Sequence, residues 1–211
     1  MLMKSDSDQI ILVSKLYNDN PLEAENTMNT FYDIVEQIKY DHISISRILF
    51  IMERELYRIN TAGDPDYELL SDCMRYMVEY TDLVHHPKED AVIDCISKKT
   101  TGFKKLTDEI KFQHESIGKL SSQFYDSVKQ AKRDEGGDNK EISEAGLHYI
   151  YLQRRHIDLE EGRFLRDVRK FLLNDDYIKI NRYYETFRDP QLSDNFETEY
   201  SHLYRTLAAK E

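Results

Sequence analysis

The chain has 211 residues and carries 29 Lys and Arg against 40 Asp and Glu, for a formal net charge of −11. That length suits one domain or two small ones, and the acidic balance excludes nucleic acid or an anionic membrane surface as the main partner, since both need a surplus of Lys and Arg. Two cysteines, Cys73 and Cys95, with no CxxC pair, exclude a disulfide scaffold and a cysteine-based zinc site.

No apolar run is long enough to span a bilayer, and the N-terminus, with only the short run Ile10–Val13, makes a poor signal peptide. A reduced, cytoplasmic protein is therefore expected. With 7 Gly, 4 Pro and 33% charged residues, the composition favours long helices with solvated faces.

Apolar periodicity in steps of three and four predicts four such helices. The first, 24–59, carries Phe31, Ile34, Ile38, His42, Ile45, Leu49, Met52 and Leu56 on one stripe. The second, 66–97, carries Leu70, Met74, Met77, Val84, Val92 and Ile96, with His85 and Glu89 in the same arc. The third, 103–133, carries Phe103, Leu106, Ile110, His114, Ile117, Ser121, Phe124 and Val128. The fourth, 142–173, carries Ala145, Tyr149, Leu152, His156 and Leu159, with Glu160 beside them. Each such helix is about 45 Å long. Helices of matched length with short connections, the third marked by Gly136-Gly137, are expected to pack as an all-α, up-down-up-down four-helix bundle.

Two shorter amphipathic helices, 175–187 and 195–207, follow around Asp189-Pro190. The expected organisation is an N-terminal extension over 1–23, the bundle over 24–173, and a C-terminal helical extension of the same domain over 174–211.

Four of the seven histidines, His42, His85, His114 and His156, fall on the inward stripes of four different helices. A single buried histidine is usually a hydrogen-bonded core residue. Four at similar depth cost free energy unless they share a partner, and a metal is the simplest one. His85→Glu89 and His156→Glu160 place a carboxylate one turn after an imidazole, so both side chains can reach one point beside the helix. Imidazole with carboxylate suits iron, manganese or zinc rather than calcium or magnesium. Counting His86, five imidazoles and two carboxylates exceed one ion's needs, whereas two ions bridged by Glu89 and Glu160 use them all. His86→Asp90 is a third pair of this spacing and reads as accidental. Pro87 removes a donor inside the second helix and predicts a kink or a bulge between His85 and Glu89. His148 and His202 read as ordinary. Tyr80, Tyr149 and Tyr151 are near enough in sequence to donate to the site, with packing the alternative.

The stretches Asp41-His42-Ile43-Ser44-Ile45, His85-His86-Pro87-Lys88-Glu89-Asp90, Gln113-His114-Glu115 and Arg154-Arg155-His156-Ile157-Asp158-Leu159-Glu160-Glu161 together resemble the hemerythrin-like family, the HHE cation-binding domain, over about residues 28–173. The resemblance implies a non-haem di-iron centre with an oxo or hydroxo bridge. Glu89 and Glu160 would bridge the irons, His42, His85, His114 and His156 would be terminal ligands, and His86 would be a fifth imidazole or a packing residue. Manganese or zinc would be substitutes for iron.

The chain departs from the oxygen-carrying members. Gly118 stands where they have a second histidine on the third helix, and His156-x-x-x-Glu160 stands where they close with HxxxxD, so reversible oxygen carriage does not follow. Ala91-Val92-Ile93-Asp94 and Gly162-Arg163-Phe164-Leu165 replace the Leu-Phe-Pro stops of many members, and both helices are expected to run on. Two functions remain open from the residues. One is a di-iron protein that binds, senses or reacts with oxygen, nitric oxide or hydrogen peroxide. The other is an iron-sensing or iron-storage interaction module whose fold depends on metal and reports to a protein partner. Enzymatic turnover and oligomeric state are undecided by sequence.

Overall fold

The computed structural model describes residues 33–61, 65–134, 139–184 and 189–209, which are all-helical with short turns and no strand among the described residues. Helix α1 (Ile34–Asn60) starts at Asp33, whose side chain accepts from the Val35 N–H at 3.0 Å, a standard N-cap. The first part of the helix expected from residue 24, with Phe31, lies outside the described residues, as does the Gly136-Gly137 turn.

The second rod is α2 (Tyr67–Tyr76), a π-helical stretch (Met77–His85) and α3 (His86–Ser97), without interruption. Asp66 caps it by accepting from the Leu69 N–H at 2.9 Å. The bulge expected at Pro87 lies upstream of it, not between His85 and Glu89: the His86 N–H reaches back five residues to the Thr81 carbonyl. Widening the turn there lets the helix pass a proline that has no N–H to give.

Helix α4 (Lys104–Asp134) is the third rod. The fourth is α5 (Asn139–Leu159), a second π stretch (Glu160–Phe164) and α6 (Leu165–Val168). It ends at Val168, earlier than the expected 173. Each adjacent pair of rods touches in reversed order along the chain. Asp41 meets Lys88 while Glu55 meets Asp66; Asp94 meets Lys111 while Glu68 meets Lys132. Gln113 meets His156 while Phe124 meets Tyr149, and His42 meets Glu161 while Glu53 meets Arg154.

Helix α7 (Asn174–Tyr184) follows, and then a 3-10 turn (Pro190–Leu192), α8 (Phe196–Glu199) and α9 (Ser201–Ala208). The helix expected over 195–207 is therefore broken at Tyr200, which leaves the helical region at φ −126° and ψ 50°. The break is supported from outside. The Asp72 carboxylate accepts from the His202 and Leu203 N–H groups at 2.8 and 3.2 Å, taking the place of a local cap.

Two apolar clusters form. One holds Ile45, Leu49, Met52, Leu56, Leu70, Met74, Tyr76, Phe124, Val128, Tyr149 and Leu203. The other holds Ile34, Ile38, Val92, Ile96, Ile110, Phe164 and Val168, with Ile180 of α7. Most of the described stripe residues are buried, with Val84, Phe103, Leu106, Leu152 and Leu159 half-buried, but Ala145 is exposed and its neighbour Gly146 is the contact residue. A Cβ at Gly146 would come within 2.6 Å of both Leu56 and Phe124, so a larger residue would push these side chains aside and loosen this approach of α1, α4 and α5. No described helix is long and apolar enough to cross a membrane.

Candidate metal centre

A buried polar layer separates the two clusters. Its side chains come from all four rods: His42 of α1, His85, His86 and Glu89 of the second rod, His114 of α4, and His156 and Glu160 of the fourth, all 7% exposed or less. The two π stretches border it, one ending at His85 and the other starting at Glu160. A locally widened helix turns side chains away from the regular spacing, which is why such bulges gather at sites.

All seven residues singled out in the sequence come together. His42 Nε2 lies 3.1 Å from Glu89 Oε1 and 3.4 Å from Glu160 Oε2. His85 Nε2 lies 3.3 Å from Glu89 Oε1, and His156 Nε2 lies 3.4 Å from Glu160 Oε2. His114 Nε2 faces both carboxylates, at 3.4 Å from Glu89 and 3.5 Å from Glu160. His86 stacks on His114 with ring centroids 4.5 Å apart and meets His156 edge-on at 5.3 Å. Ligand atoms of His86, Glu89, His114 and His156 lie within 4.8 Å of one another, and so do those of His42, His85 and Glu89. Glu89 belongs to both groups. His148 is exposed, and His202 is half-buried beside Asp66, away from the layer.

Each imidazole is also held from behind through Nδ1. The partners are Glu161 for His42 at 3.0 Å, Asp41 for His85 at 3.1 Å, Asp90 for His114 at 3.0 Å and Gln113 for His156 at 3.1 Å. Asp82 makes a longer contact of 3.4 Å with His86. A partner on Nδ1 fixes the ring and leaves Nε2 facing inward as the free donor atom, the usual second layer of a histidine metal site. Sequence reasoning missed these partners. Asp90, read as the accidental mate of His86, serves His114 on another helix. Of the three tyrosines considered, Tyr80 donates to Asp41 at 2.9 Å, Tyr149 accepts from Gln153 at 2.9 Å, and Tyr151 is exposed. Lys88 is buried and donates to Asp41 at 3.0 Å.

The inward atoms are poorly satisfied by one another. Nε2 of His86, His114 and His156, Oε2 of Glu89 and both oxygens of Glu160 are buried with no hydrogen-bond partner. Each orphaned group of this kind costs about 1–3 kcal/mol, so their convergence calls for a shared partner. Nitrogen and carboxylate donors together fit iron, manganese or zinc.

Burial opposes the charged forms of His42, His86, His114, His156, Glu89 and Glu160. The facing carboxylates of Glu160, Glu161 and Glu89 overcome it at His42, raising its pKa well above the ordinary value. The hydrogen bond to Asp90 and the facing carboxylates of Glu160 and Glu89 raise His114 to about 11. Burial prevails at His156, lowered to about 4, and also lowers His86. The imidazoles in turn hold Glu89 well below, and Glu160 below, the usual carboxylate range against their burial. A groove of about 970 Å³ beside α1 and α9, lined in part by Ile43, Phe50, Arg205 and Leu207, reaches His42 and Glu161.

Residues 33–168 match the family model of the hemerythrin HHE cation binding domain. Comparisons with curated proteins and with solved structures give no match.

Proposed function

This chain belongs to the hemerythrin HHE cation-binding domain family, and from that premise we propose that it is a non-haem di-iron protein acting on oxygen, nitric oxide or hydrogen peroxide. The rods are read as an up-down-up-down four-helix bundle, as their reversed contacts suggest. His86, His114 and His156 would hold one ion and His42 and His85 the other, with Glu89 and Glu160 across both. A bound iron pair supplies Lewis acidity and one-electron redox chemistry toward a small ligand.

The chain's own residues do the rest. Glu161, Asp41, Asp90 and Gln113 hold Nε2 of four imidazoles inward, and the two apolar clusters keep bulk water from the layer on either side. The observation that carries this reading is the set of orphaned imidazole and carboxylate atoms converging from three of the four rods, with His42 facing the same carboxylates.

The same observation favours a second reading, that of a metal-dependent iron-sensing or storage module. Orphaned buried groups penalise the metal-free fold, so binding couples to folding. Iron per chain, followed by optical spectra before and after air, nitric oxide or peroxide, tests both. Two irons per chain with a near-ultraviolet oxo-di-iron band that responds to one of these ligands support the first. Loss of helicity on iron removal and its return on reloading, with no spectral response, support the second. A chain that takes up no iron contradicts both.

A further inference from the structure

Tyrosine is the abundant oxidisable aromatic in this chain, with 15 copies against no tryptophan, and three copies connect the polar layer to the surface. Tyr80 donates to Asp41 Oδ1 at 2.9 Å, and the other oxygen of Asp41 lies 3.1 Å from His85 Nδ1. One carboxylate therefore separates Tyr80 from a candidate ligand.

The rings continue outward. Tyr76, one turn earlier on the same rod, has its centroid 5.4 Å from that of Tyr80, and Tyr200 lies 6.5 Å from Tyr76. All three side chains are buried. Tyr200 donates to Glu79 Oε2 at 3.1 Å, and the Arg75 guanidinium sits 4.9 Å over its ring. The Glu79 and Arg75 side chains are 47% and 34% exposed, so the line of rings ends at solvent. It also accounts for the break between α8 and α9: the residue at the break is the one whose ring enters the core against Tyr76.

We propose that Tyr80, Tyr76 and Tyr200 form an electron relay that carries oxidising equivalents from the metal layer to the surface at Arg75 and Glu79. This rests on the iron reading above. The oxidant is hydrogen peroxide acting at the loaded site, and the final donor is a small one-electron reductant in solution.

Oxidation of a phenol releases its proton, so each ring needs an acceptor. Tyr80 has Asp41 and Tyr200 has Glu79. Tyr76 makes no well-formed hydrogen bond, but the buried Asp189 carboxylate lies beside it.

An electron leaves Tyr80 for peroxide as the phenolic proton moves to Asp41. Tyr76 refills Tyr80, which recovers its proton, and gives its own proton to Asp189. Tyr200 refills Tyr76 in the same way and gives its proton to Glu79, until the external reductant refills Tyr200. Two such passages, with two protons from solvent, convert one peroxide to two waters. The relay spares the imidazoles around the centre from oxidation.

The test uses the full chain loaded with iron, mixed with hydrogen peroxide, frozen rapidly and examined by electron paramagnetic resonance, with iron content measured on the same samples. Wild type gives a tyrosyl radical that ascorbate quenches. Tyr80→Phe at equal iron content loses the radical. Tyr200→Phe, remote from the ligands, forms it but is quenched more slowly, and Tyr151→Phe, an exposed tyrosine off the line, behaves as wild type. A chain that binds no iron overturns the functional reading and the relay with it. Loaded wild type without a tyrosyl radical overturns the relay alone. The relay also falls if Tyr80→Phe gives the wild-type signal or if quenching is unchanged in Tyr200→Phe.

Discussion

Along α1, Ile34 and Ile38 enter one apolar cluster and Ile45, Leu49 and Met52 enter the other, while His42 between them enters the layer of imidazoles and carboxylates. The other three rods repeat the pattern. The clusters are held by area and fit, so one residue's loss is felt as a cavity and no more. The layer is held by pairing. Each ring needs its partner behind and its ligand in front, and a missing member strands the rest. Stability and function are thus segregated along the same helices, a few residues apart.

Substitutions in the two regions should separate these contributions. The largest effect is expected at Glu160, which faces His42, His114 and His156: Glu160→Ala lowers bound iron at least about tenfold, read by metal quantification, while His202→Ala leaves it unchanged. In the apolar region, Leu56→Ala costs about 2–5 kcal/mol in urea unfolding, with unchanged iron per folded chain.

The buried Asp189 supplies the next effect. Its carboxyl sits at about 6 in the folded chain against 3.8 ordinarily, so it is neutral in both states below the lower value. As pH rises past the lower value only the unfolded chain ionises, and stability falls until the folded pKa is passed. The loss is at most about 3 kcal/mol. Asp189→Asn should flatten that part of a stability–pH curve and raise stability at neutral pH.

Asp90→Asn keeps an acceptor near His114 but removes the charge, and should weaken iron binding by about tenfold, read by competition with a chelator. The smallest effect is expected at the exposed Arg154–Glu53 pair, 2.8 Å in both its contacts. Arg154→Ala should cost under about 1 kcal/mol.

The sequence made the inward face of the layer legible because imidazoles on an apolar stripe break a pattern that has no other reason to break. His42, His85, His114 and His156 stand out that way, and Glu89 and Glu160 follow from the one-turn spacing. The partners behind them were hidden by register. Asp41, Asp90, Glu161 and Gln113 each stand next to an inward residue in the chain, yet each serves an imidazole on a different helix. Only packing decides which helix that is. A polar residue directly beside an inward histidine or glutamate is the signal that could have marked them.

The π stretches went unread because the stripe resumes on either side of each, although the widened turn shifts it locally: Val84, placed on the stripe by periodicity, is half-buried while Thr81 and His85 are buried. Ala145 failed for the opposite reason: it completes the periodicity, but the close approach is made through Gly146, whose missing Cβ carries no apolar signal.

The most direct measurement is a crystal grown from iron-replete protein, with anomalous scattering recorded at the iron edge. Two peaks between the Glu89 and Glu160 carboxylates, one near His86, His114 and His156 and one near His42 and His85, are expected. Full occupancy of the same crystal by iron elsewhere, or a layer without an anomalous peak, would contradict the account.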